Sequence, residues 1–175
     1  MAYNEVEGNL ITLAKQGNFD VISHGCNCQN QMGAGIAPHM AKEFGCDRYD
    51  MEHPQYKGYI NKLGTIDYQE RFIVNGKVNP NYEYYIPDGD QKSLYVVNSY
   101  TQYHYGRNHK DGISTPIDYE ALTLCMRKIN KVFKGKHVGL PKIGAGLAGG
   151  DWERIKLIIQ TELIDCDVTV IIFNQ

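Results

Sequence analysis

Two copies of the tripeptide Gly-Ala-Gly are the residues of this chain best suited to hold an anion. Gly33-Ala34-Gly35 follows the apolar stretch at residues 21–24, and Gly144-Ala145-Gly146 follows the stretch at residues 138–140. Glycine at a strand-to-helix turn permits positive φ and lets a ligand approach backbone N–H groups closely. The N-terminus of a following helix adds a positive dipole end at the same place. Two such loops at one cleft predict a cradle for a diphosphate or a similar anion.

The first of these loops belongs to a long polar segment, residues 24–37. Ligands of open α/β sheets bind at the carboxyl ends of strands, where connections of this kind lie. Asn27 is a candidate for orienting a ribose hydroxyl or a water molecule. His24 titrates near neutral pH and is a candidate acid, base or phosphate partner. A structural loop with a capped helix is the alternative, and the number of polar side chains favours the functional interpretation.

Cysteines in the same segment raise the question of metal or thiol chemistry. His24, Cys26 and Cys28 alternate, which places all three on one side of an extended segment. A tetrahedral zinc site needs a fourth ligand, and none stands at a suitable spacing, so we expect reduced structural cysteines and no metal or cofactor. Arginine six positions after a cysteine, typical of cysteine phosphatases, is absent after Cys26 and Cys28, where Met32 and Ala34 stand.

The second loop contains the pattern G-x-G-x-x-G at Gly144, Gly146 and Gly149. A dinucleotide site also needs an acidic residue at the end of the following strand, where residues 173–175 read Phe-Asn-Gln. Nicotinamide or flavin binding is therefore disfavoured, and a GK[ST] triplet for a Walker-type site is absent. Asp151 has two compatible interpretations: it caps the next helix, or it orients a water molecule at the mouth of the cleft.

Composition indicates an ordinary globular protein. The chain has 175 residues and a net charge of −2, which predicts a single domain at 1–175 and disfavours nucleic acid as a partner. Five cysteines are an odd number, and the polar start of the chain does not resemble a signal peptide. No apolar run reaches the roughly 20 residues that a membrane helix needs. We therefore expect a reduced, cytoplasmic, monomeric protein that is not bound to a membrane.

Periodicity predicts strands alternating with helices. A tight turn at Asn75-Gly76 ends one strand, and a polar loop covers residues 101–114. Because the two patterns alternate, we expect an α/β fold with helices on both faces of a sheet. The predicted strands are residues 7–11, 20–24, 71–74, 94–98, 136–140 and 168–173, and the predicted helices are residues 36–44, 56–63, 115–133 and 151–163.

On both glycine loops the sequence resembles the macrodomains, which bind ADP-ribose. The resemblance covers nearly the whole chain, from residues 8–11 through the first loop and residues 94–100 to residues 141–147 and the last strand. The run from His24 to Cys28, followed by residues 33–37, is most similar to the branch that hydrolyses ADP-ribose 1″-phosphate. The resemblance implies a three-layer α/β/α sandwich with a mixed, about six-stranded sheet. It also implies a metal-independent phosphatase that releases ADP-ribose.

The resemblance assigns a place to each candidate residue. His24 and Asn27 stand near the 1″ position and Asp151 at the rim, as the candidate catalytic residues. Where many members carry Asp, this chain has Asn9, so the usual carboxylate contact with the adenine amino group is in question. The residues expected to bind the ligand lie beside the adenine (Asn9, Leu10, Ile11), over the diphosphate (Gly33, Ala34, Gly35, Ile36, Ala37), and opposite the diphosphate as far as the distal ribose (Ile143, Gly144, Ala145, Gly146, Leu147, Ala148).

Two other functions stay open at this stage. A sister branch removes ADP-ribose from modified carboxylates or nucleic-acid bases. It uses a lysine after the strand equivalent to residues 94–98 and an Asp directly after the Gly-x-Gly-Leu unit of its second glycine loop. Here residues 99–103 contain no lysine, and Ala148 stands at the Asp position. Both absences disfavour that chemistry. The alternatives to the phosphatase are thus a non-catalytic ADP-ribose reader, or a hydrolase that removes ADP-ribose from modified protein or nucleic acid.

Overall fold

The computed structural model describes residues 2–79, 91–105 and 116–173. Strands and helices alternate along most of this length, as the periodicity predicts. The strands are β1 Tyr3–Glu7, β2 Val21–Asn27, β3 Ile66–Val74, β4 Lys77–Val78, β5 Gln91–Gln102, β6 His137–Leu140 and β7 Asp167–Ile172; the helices are α1 Leu10–Lys15, α2 Ala37–Phe44, α3 Arg48–Glu52, α4 Tyr119–Val132 and α5 Trp152–Glu162, with 3-10 turns at Pro54–Tyr56 and Ile60–Lys62.

The described strands form one mixed sheet in the order β1-β7-β6-β2-β5-β3-β4. Strands β1, β7, β6, β2 and β5 pair in parallel, whereas β3 is antiparallel to both β5 and β4. In the centre, Val21 of β2 pairs with Val138 of β6 and with Tyr95 of β5. Because β2, β6 and β5 are parallel, the connections that leave their carboxyl ends meet at one edge of the sheet.

Apolar clusters cover both faces of the sheet. On one face, Val21 packs with Leu122 of α4 and Ile155 of α5. On the other face, the next residue, Ile22, packs with Met40 of α2 and Leu10 of α1. Successive side chains of a strand point to opposite faces, so β2 contributes to both clusters. This arrangement confirms the predicted α/β/α sandwich. About six strands were expected, and the described residues form seven, including β4 of two residues.

Some helices and strands lie at positions different from those that hydrophobic periodicity predicts, because local hydrogen bonds set where they begin. Residues 7–11, predicted as a strand, instead contain the end of β1 and the start of α1, which Asn9 caps by accepting from the Thr12 N–H at 3.0 Å. Helix α4 begins at Tyr119 and not near residue 115, because Asp118 caps it through the Ala121 N–H at 2.9 Å. The predicted helix at residues 56–63 consists of short 3-10 turns.

The remaining predictions fall partly outside the described residues. The turn at Asn75-Gly76 joins β3 to β4 with positive φ at both residues, as predicted. Strand β5 continues to Gln102, so the predicted loop at residues 101–114 starts later, and residues 106–115 lie outside the described part of the chain. Among the described helices, none combines the length and the hydropathy required to cross a bilayer.

Candidate functional site

The loop after β2 (residues 28–36, the first loop) is shaped by one side chain. Asn27 donates from Nδ2 to the Gln31 carbonyl oxygen at 2.8 Å. Its Oδ1 accepts from the backbone N–H groups of Gln29 at 3.0 Å and Gln31 at 3.3 Å. Asn27 itself is buried, whereas Gln31 is exposed, so these bonds are partly buried. The amide of Asn27 therefore holds the loop in the form that leads to the glycines.

Helix α2 starts directly at the end of the first loop. Gly35 has a φ of 65°, and Ile36 is the N-cap residue. Within the described ranges, no side chain caps α2, and its first turn contains Pro38, which has no N–H. The first-turn N–H groups of a helix have no partner inside the helix. The start of α2 therefore offers backbone donors and a positive dipole end next to Gly35.

The loop after β6 (residues 141–150, the second loop) is held by its own backbone. The N–H groups of Ala145, Gly149 and Gly150 bond to the carbonyls of Lys142, Gly146 and Gly144 at 3.1, 3.0 and 2.8 Å, respectively. Gly144 has a φ of 76°, a conformation that favours glycine. A Cβ at that position would lie 2.7 Å from Ile117 Cδ1, so the packing also demands glycine there.

The two loops approach each other across one cleft of about 620 Å³. A Cβ built on Gly35 of the first loop would lie 3.9 Å from Leu147 Cδ1 of the second loop. The structure thus brings both Gly-Ala-Gly segments to the same site. The residues that line this cleft are Gly25, Asn27, Gln31, Gly33, Ala34, Gly35, Ile36, Ala37, Gln102, Tyr105, Pro141, Lys142, Ile143, Gly144, Gly146, Leu147 and Ala148.

A second compartment of about 850 Å³ continues from this cleft. The two share Gly35, Ile36, Pro141 and Lys142 as lining residues. Phe173, whose surface is 62% exposed, stands in its wall. A largely apolar wall with an exposed aromatic ring suits a flat, heterocyclic group. Its other lining residues are Asn9, Leu10, Ile11, Thr12, Lys15, His39, Glu43, Ile171 and Ile172.

His24 and Asn27, the candidate catalytic residues on β2, occupy different environments. Gly25 lines the cleft, and the adjacent His24 is completely buried, with its Nε2 2.8 Å from Asn98 Oδ1 and 3.6 Å from Cys46 Sγ. Burial lowers the pKa of His24 to about 4, so the imidazole is neutral at pH 7. The structure therefore brings Asn27 to the cleft, whereas His24 is not among the residues that line it.

Asp151 and Ala145 also do not line the cleft. Asp151 is exposed and caps α5, because its Oδ1 accepts from the Glu153 N–H at 3.1 Å. Its own N–H donates to the Tyr119 hydroxyl at 2.8 Å. The capping interpretation of Asp151 is thus what the geometry shows.

Several lining residues received no assignment from the sequence. Gln102 is the last residue of β5, Tyr105 follows that strand, and Gln31 lies in the middle of the first loop. Because β5 is the parallel neighbour of β2, its carboxyl end meets the first loop at the same edge. Strand order was the missing information, since the sequence alone predicts β5 but not its neighbours.

The five cysteines are all free and buried. Burial raises the pKa of Cys28 to about 11 and that of Cys46 to about 12, so both thiols stay protonated at neutral pH. Across residues 2–79, 91–105 and 116–173, no three His, Cys, Asp or Glu side chains are grouped to hold a metal ion. The five cysteine side chains therefore serve as packing groups in the described part of the protein.

No protein-family model matches the chain. It is 27% identical over 179 residues to an uncharacterized 17.5 kDa protein of Enterobacteria phage T4, which covers 98% of this chain and 96% of the phage protein. It is 24% identical to an ADP-ribose 1″-phosphate phosphatase of Meyerozyma guilliermondii, over 96% of this chain and 98% of that enzyme.

Solved structures give the same class of fold. A macrodomain protein from Streptomyces coelicolor superposes with a TM-score of 0.59 at 21% identity, over 99% of both chains. Thermosipho africanus DarTG, solved in complex with ADP-ribose, superposes with a TM-score of 0.67 at 14% identity, over 98% of this chain and 42% of that one. The three-layer sandwich first defines an α/β protein with its cleft at the carboxyl edge of the sheet. The similar solved structures then identify that sandwich as the macrodomain fold, as the resemblance predicts.

Proposed function

We propose that this protein binds ADP-ribose along the two connected compartments. The observation that carries the proposal is the meeting of both glycine loops at one cleft, with Leu147 3.9 Å from the Cβ position of Gly35. The start of α2 and the loop amides supply N–H donors for the diphosphate. The adenosine then occupies the second compartment, against Phe173, and the distal ribose occupies the first, near Asn27.

Lys142 provides charge complementarity for such a ligand. It lines both compartments, and its ammonium lies 5.2 Å from the centre of the Trp152 ring. A diphosphate at the junction carries negative charge, and a flexible lysine beside it attracts that charge without fixing its geometry. We assign Lys142 this role in the bound state.

We further propose that the bound substrate is ADP-ribose 1″-phosphate and that the reaction is hydrolysis of its terminal phosphomonoester. The similarity of residues 24–37 to the phosphatase branch supports this, as does the fungal relative named for the same activity. Water attacks phosphorus, the bond from phosphorus to the 1″ oxygen breaks, and that oxygen leaves with a proton. Loop amides that stabilise developing charge, together with positioning of the ester, supply the acceleration.

The three candidate catalytic residues take different parts in this proposal. Asn27 contacts the substrate or its attacking water from the cleft floor. His24 acts as a positioning residue within β2, next to Gly25 of the cleft lining, and Asp151 acts as one through the start of α5. Alanine at His24 and at Asp151, tested separately, should lower the kcat of phosphate release more than it raises KM. Full kcat in both variants would assign catalysis to Asn27 and the loop amides alone.

Calorimetry with ADP-ribose tests the binding proposal directly. Gly146 lines the cleft, and a Cβ built there meets no atom within 4 Å, so we expect Gly146→Val to fold, which its melting temperature checks. We expect Gly146→Val to weaken ADP-ribose binding at least about tenfold, because the added side chain occupies space in the cleft and the ligand loses contacts there. Gln160→Val, on an exposed position of α5, is the matched control. Equal affinity in wild type and Gly146→Val would overturn the placement of the ligand.

A non-catalytic ADP-ribose reader is the second candidate function. The observation that favours it is that His24 and Asp151 both lie outside the cleft lining, whereas the binding loops are complete. Tight ADP-ribose binding without phosphate release from ADP-ribose 1″-phosphate supports the reader. Release of ADP-ribose from modified protein or nucleic acid, in the same preparation, supports instead the third function predicted from the sequence.

A further inference from the structure

Lys62 lies outside both compartments but bonds to the middle of the first loop. Its Nζ donates to Asn30 Oδ1 at 2.6 Å and to Asp50 Oδ1 at 2.8 Å. Asn30 in turn donates from Nδ2 to the carbonyl oxygen of Asp50 at 3.3 Å. Neither Lys62 nor Asp50 is among the residues that line the two compartments, so their effect on a ligand has to pass through the loop.

The ion pair of Lys62 and Asp50 is buried. Its side chains are 12% and 5% exposed, whereas those of the surface pair of Lys92 and Asp20 are 39% and 40% exposed. Salt and water screen a buried pair much less than an exposed one, so its charges hold each other more firmly. Tyr100 completes this cluster, because the centre of its ring lies 4.3 Å from the Lys62 ammonium and its hydroxyl lies 3.1 Å from Asp50 Oδ1.

Asn30 is the point at which this cluster acts on the backbone of the first loop. It has a φ of 58°, a left-handed conformation that a residue with a side chain adopts only at a cost in free energy. One branch of its amide bonds to Lys62 and the other to Asp50, so the cluster holds this conformation. The next residue, Gln31, lines the cleft, and its carbonyl oxygen accepts from Asn27.

We propose that Lys62 is a positioning residue for the ligand of the cleft, because it holds Asn30 and thereby Gln31 and the glycines at residues 33–35. This inference rests on the proposed binding of ADP-ribose. The first loop is then fixed at two points, by Asn27 at the end of β2 and by Lys62 in the 3-10 turn at Ile60–Lys62. A loop that is ordered before binding loses less conformational entropy when the ligand arrives, so this bond raises the affinity.

The test is a double-mutant cycle on ADP-ribose affinity, measured by calorimetry. Asn30→Gly breaks the bond to Lys62 and keeps the ion pair, and glycine adopts positive φ without strain, so this variant should fold. It should bind ADP-ribose about fivefold more weakly or worse, as expected for one lost hydrogen bond to a charged group. Lys62→Met should also weaken binding. Because the two residues act in series, Lys62→Met should weaken binding little further in a chain that already carries Asn30→Gly.

Lys92→Met is the matched control. It makes the same substitution in the pair with Asp20, at the opposite end of β5 from Gln102 of the cleft lining. The affinity of Lys92→Met for ADP-ribose should equal that of wild type. Melting temperatures show whether each variant is folded during calorimetry.

The outcomes separate this proposal from the one on which it rests. Wild-type affinity in Asn30→Gly, or losses that add in the double variant, would overturn the role of Lys62 while ADP-ribose binding stands. Failure of wild type to bind ADP-ribose overturns the proposed function itself. If Lys62→Met does not fold because Asp50 keeps an unpaired buried charge, the cycle is run with Lys62→Met and Asp50→Asn combined, which removes that charge and is judged by the same two criteria.

Discussion

The two glycine loops share the tripeptide Gly-Ala-Gly but differ in what holds them in place. In the first loop, residues 33–35 are exposed, and a Cβ on Gly33 meets no atom within 4 Å. In the second loop, a Cβ on Gly150 would lie 2.6 Å from Ile155 Cδ1, and one on Gly144 would lie 2.7 Å from Ile117 Cδ1. Packing at Gly144 and Gly150, together with backbone hydrogen bonds, thus fixes the second loop, whereas hydrogen bonds to the Asn27 side chain shape the first.

The helices that follow the loops show the same difference. Helix α5 has its first turn capped by Asp151, whereas α2 starts at Ala37, after the N-cap residue Ile36, without a side-chain cap from the described residues. The cap uses one first-turn N–H group of α5, and Pro38 removes one from α2, but the remaining first-turn N–H groups of α2 have no side-chain partner among the described residues. We infer that the second loop is the rigid wall of the cleft and that the first loop and α2 provide its donors.

The largest effect that this comparison predicts is on stability, at Gly144. Gly144→Ala forces a side chain into positive φ and against Ile117, which should lower the free energy of unfolding by about 2–4 kcal/mol. Gly33→Ala, in the first loop, should change it by less than about 0.5 kcal/mol, because the added Cβ meets open space. Chemical denaturation measures both. Equal losses in the two variants would contradict the distinction between a packed loop and an open one.

The second prediction is that His24, on β2 below the first loop, makes the free energy of unfolding fall in acid by a similar amount. Burial lowers the pKa of His24 to about 4 in the folded protein, against about 6.5 in the unfolded chain. Between these values the unfolded chain binds the extra proton, so the unfolding free energy falls as the pH drops from 6.5 to 4. The full contribution is present above pH 6.5 and amounts to about 3 kcal/mol. Denaturation series across this pH range measure it.

His24→Gln is the control for this pH dependence of the free energy of unfolding. Its side-chain amide can still donate to Asn98, but it does not titrate. The variant should lose less stability than wild type between pH 6.5 and pH 4. Asp67 bonds to the same Asn98, and burial raises its pKa, which favours folding at low pH in both proteins alike. Identical pH slopes in the two proteins would show that His24 is not the buried group that titrates.

Asn27 is the residue through which the first loop can be changed alone. Asn27→Ala removes the hydrogen bonds to Gln29 and Gln31, and it should cost about 1–2 kcal/mol of stability. The first loop then no longer has one fixed backbone conformation around its glycines, so ADP-ribose affinity should fall about tenfold or more. Calorimetry measures the affinity. Asn27→Asp keeps the two hydrogen bonds that Oδ1 accepts, so its affinity should lie between those of wild type and Asn27→Ala. Wild-type affinity in Asn27→Ala would show that the loop keeps its form without this amide.

Much of this arrangement could be predicted from the sequence, because short-range patterns carry it. The apolar runs that form β2, β5 and β7, and the turn at Asn75-Gly76, follow local periodicity and turn chemistry. The glycine loops were recognisable because a glycine turn between a strand and a helix has few other uses.

Other features depend on long-range contacts, and these the sequence could not show. His24 was predicted as a site residue because an imidazole ordinarily titrates near neutral pH and because it stands in the polar segment at residues 24–37. Only the packing of β2 shows that Gly25 faces the cleft while His24 is buried beside Asn98 and Cys46. Capping decided the start of α1, since the apolar Leu10-Ile11 pair fits either a strand or a helix until the bond from Thr12 to Asn9 is known.

The smallest predicted effect separates capping from chemistry at the second loop. Asp151→Ala should lower the free energy of unfolding by about 1 kcal/mol through loss of the cap on α5. Asp151→Asn should restore this stability, since Asn caps a helix as well as Asp does. Phosphate release that recovers in Asp151→Asn assigns the residue a positioning role through α5. Phosphate release that stays low in Asp151→Asn while stability recovers requires the carboxylate itself, because the two side chains then differ only in charge and in one accepting atom.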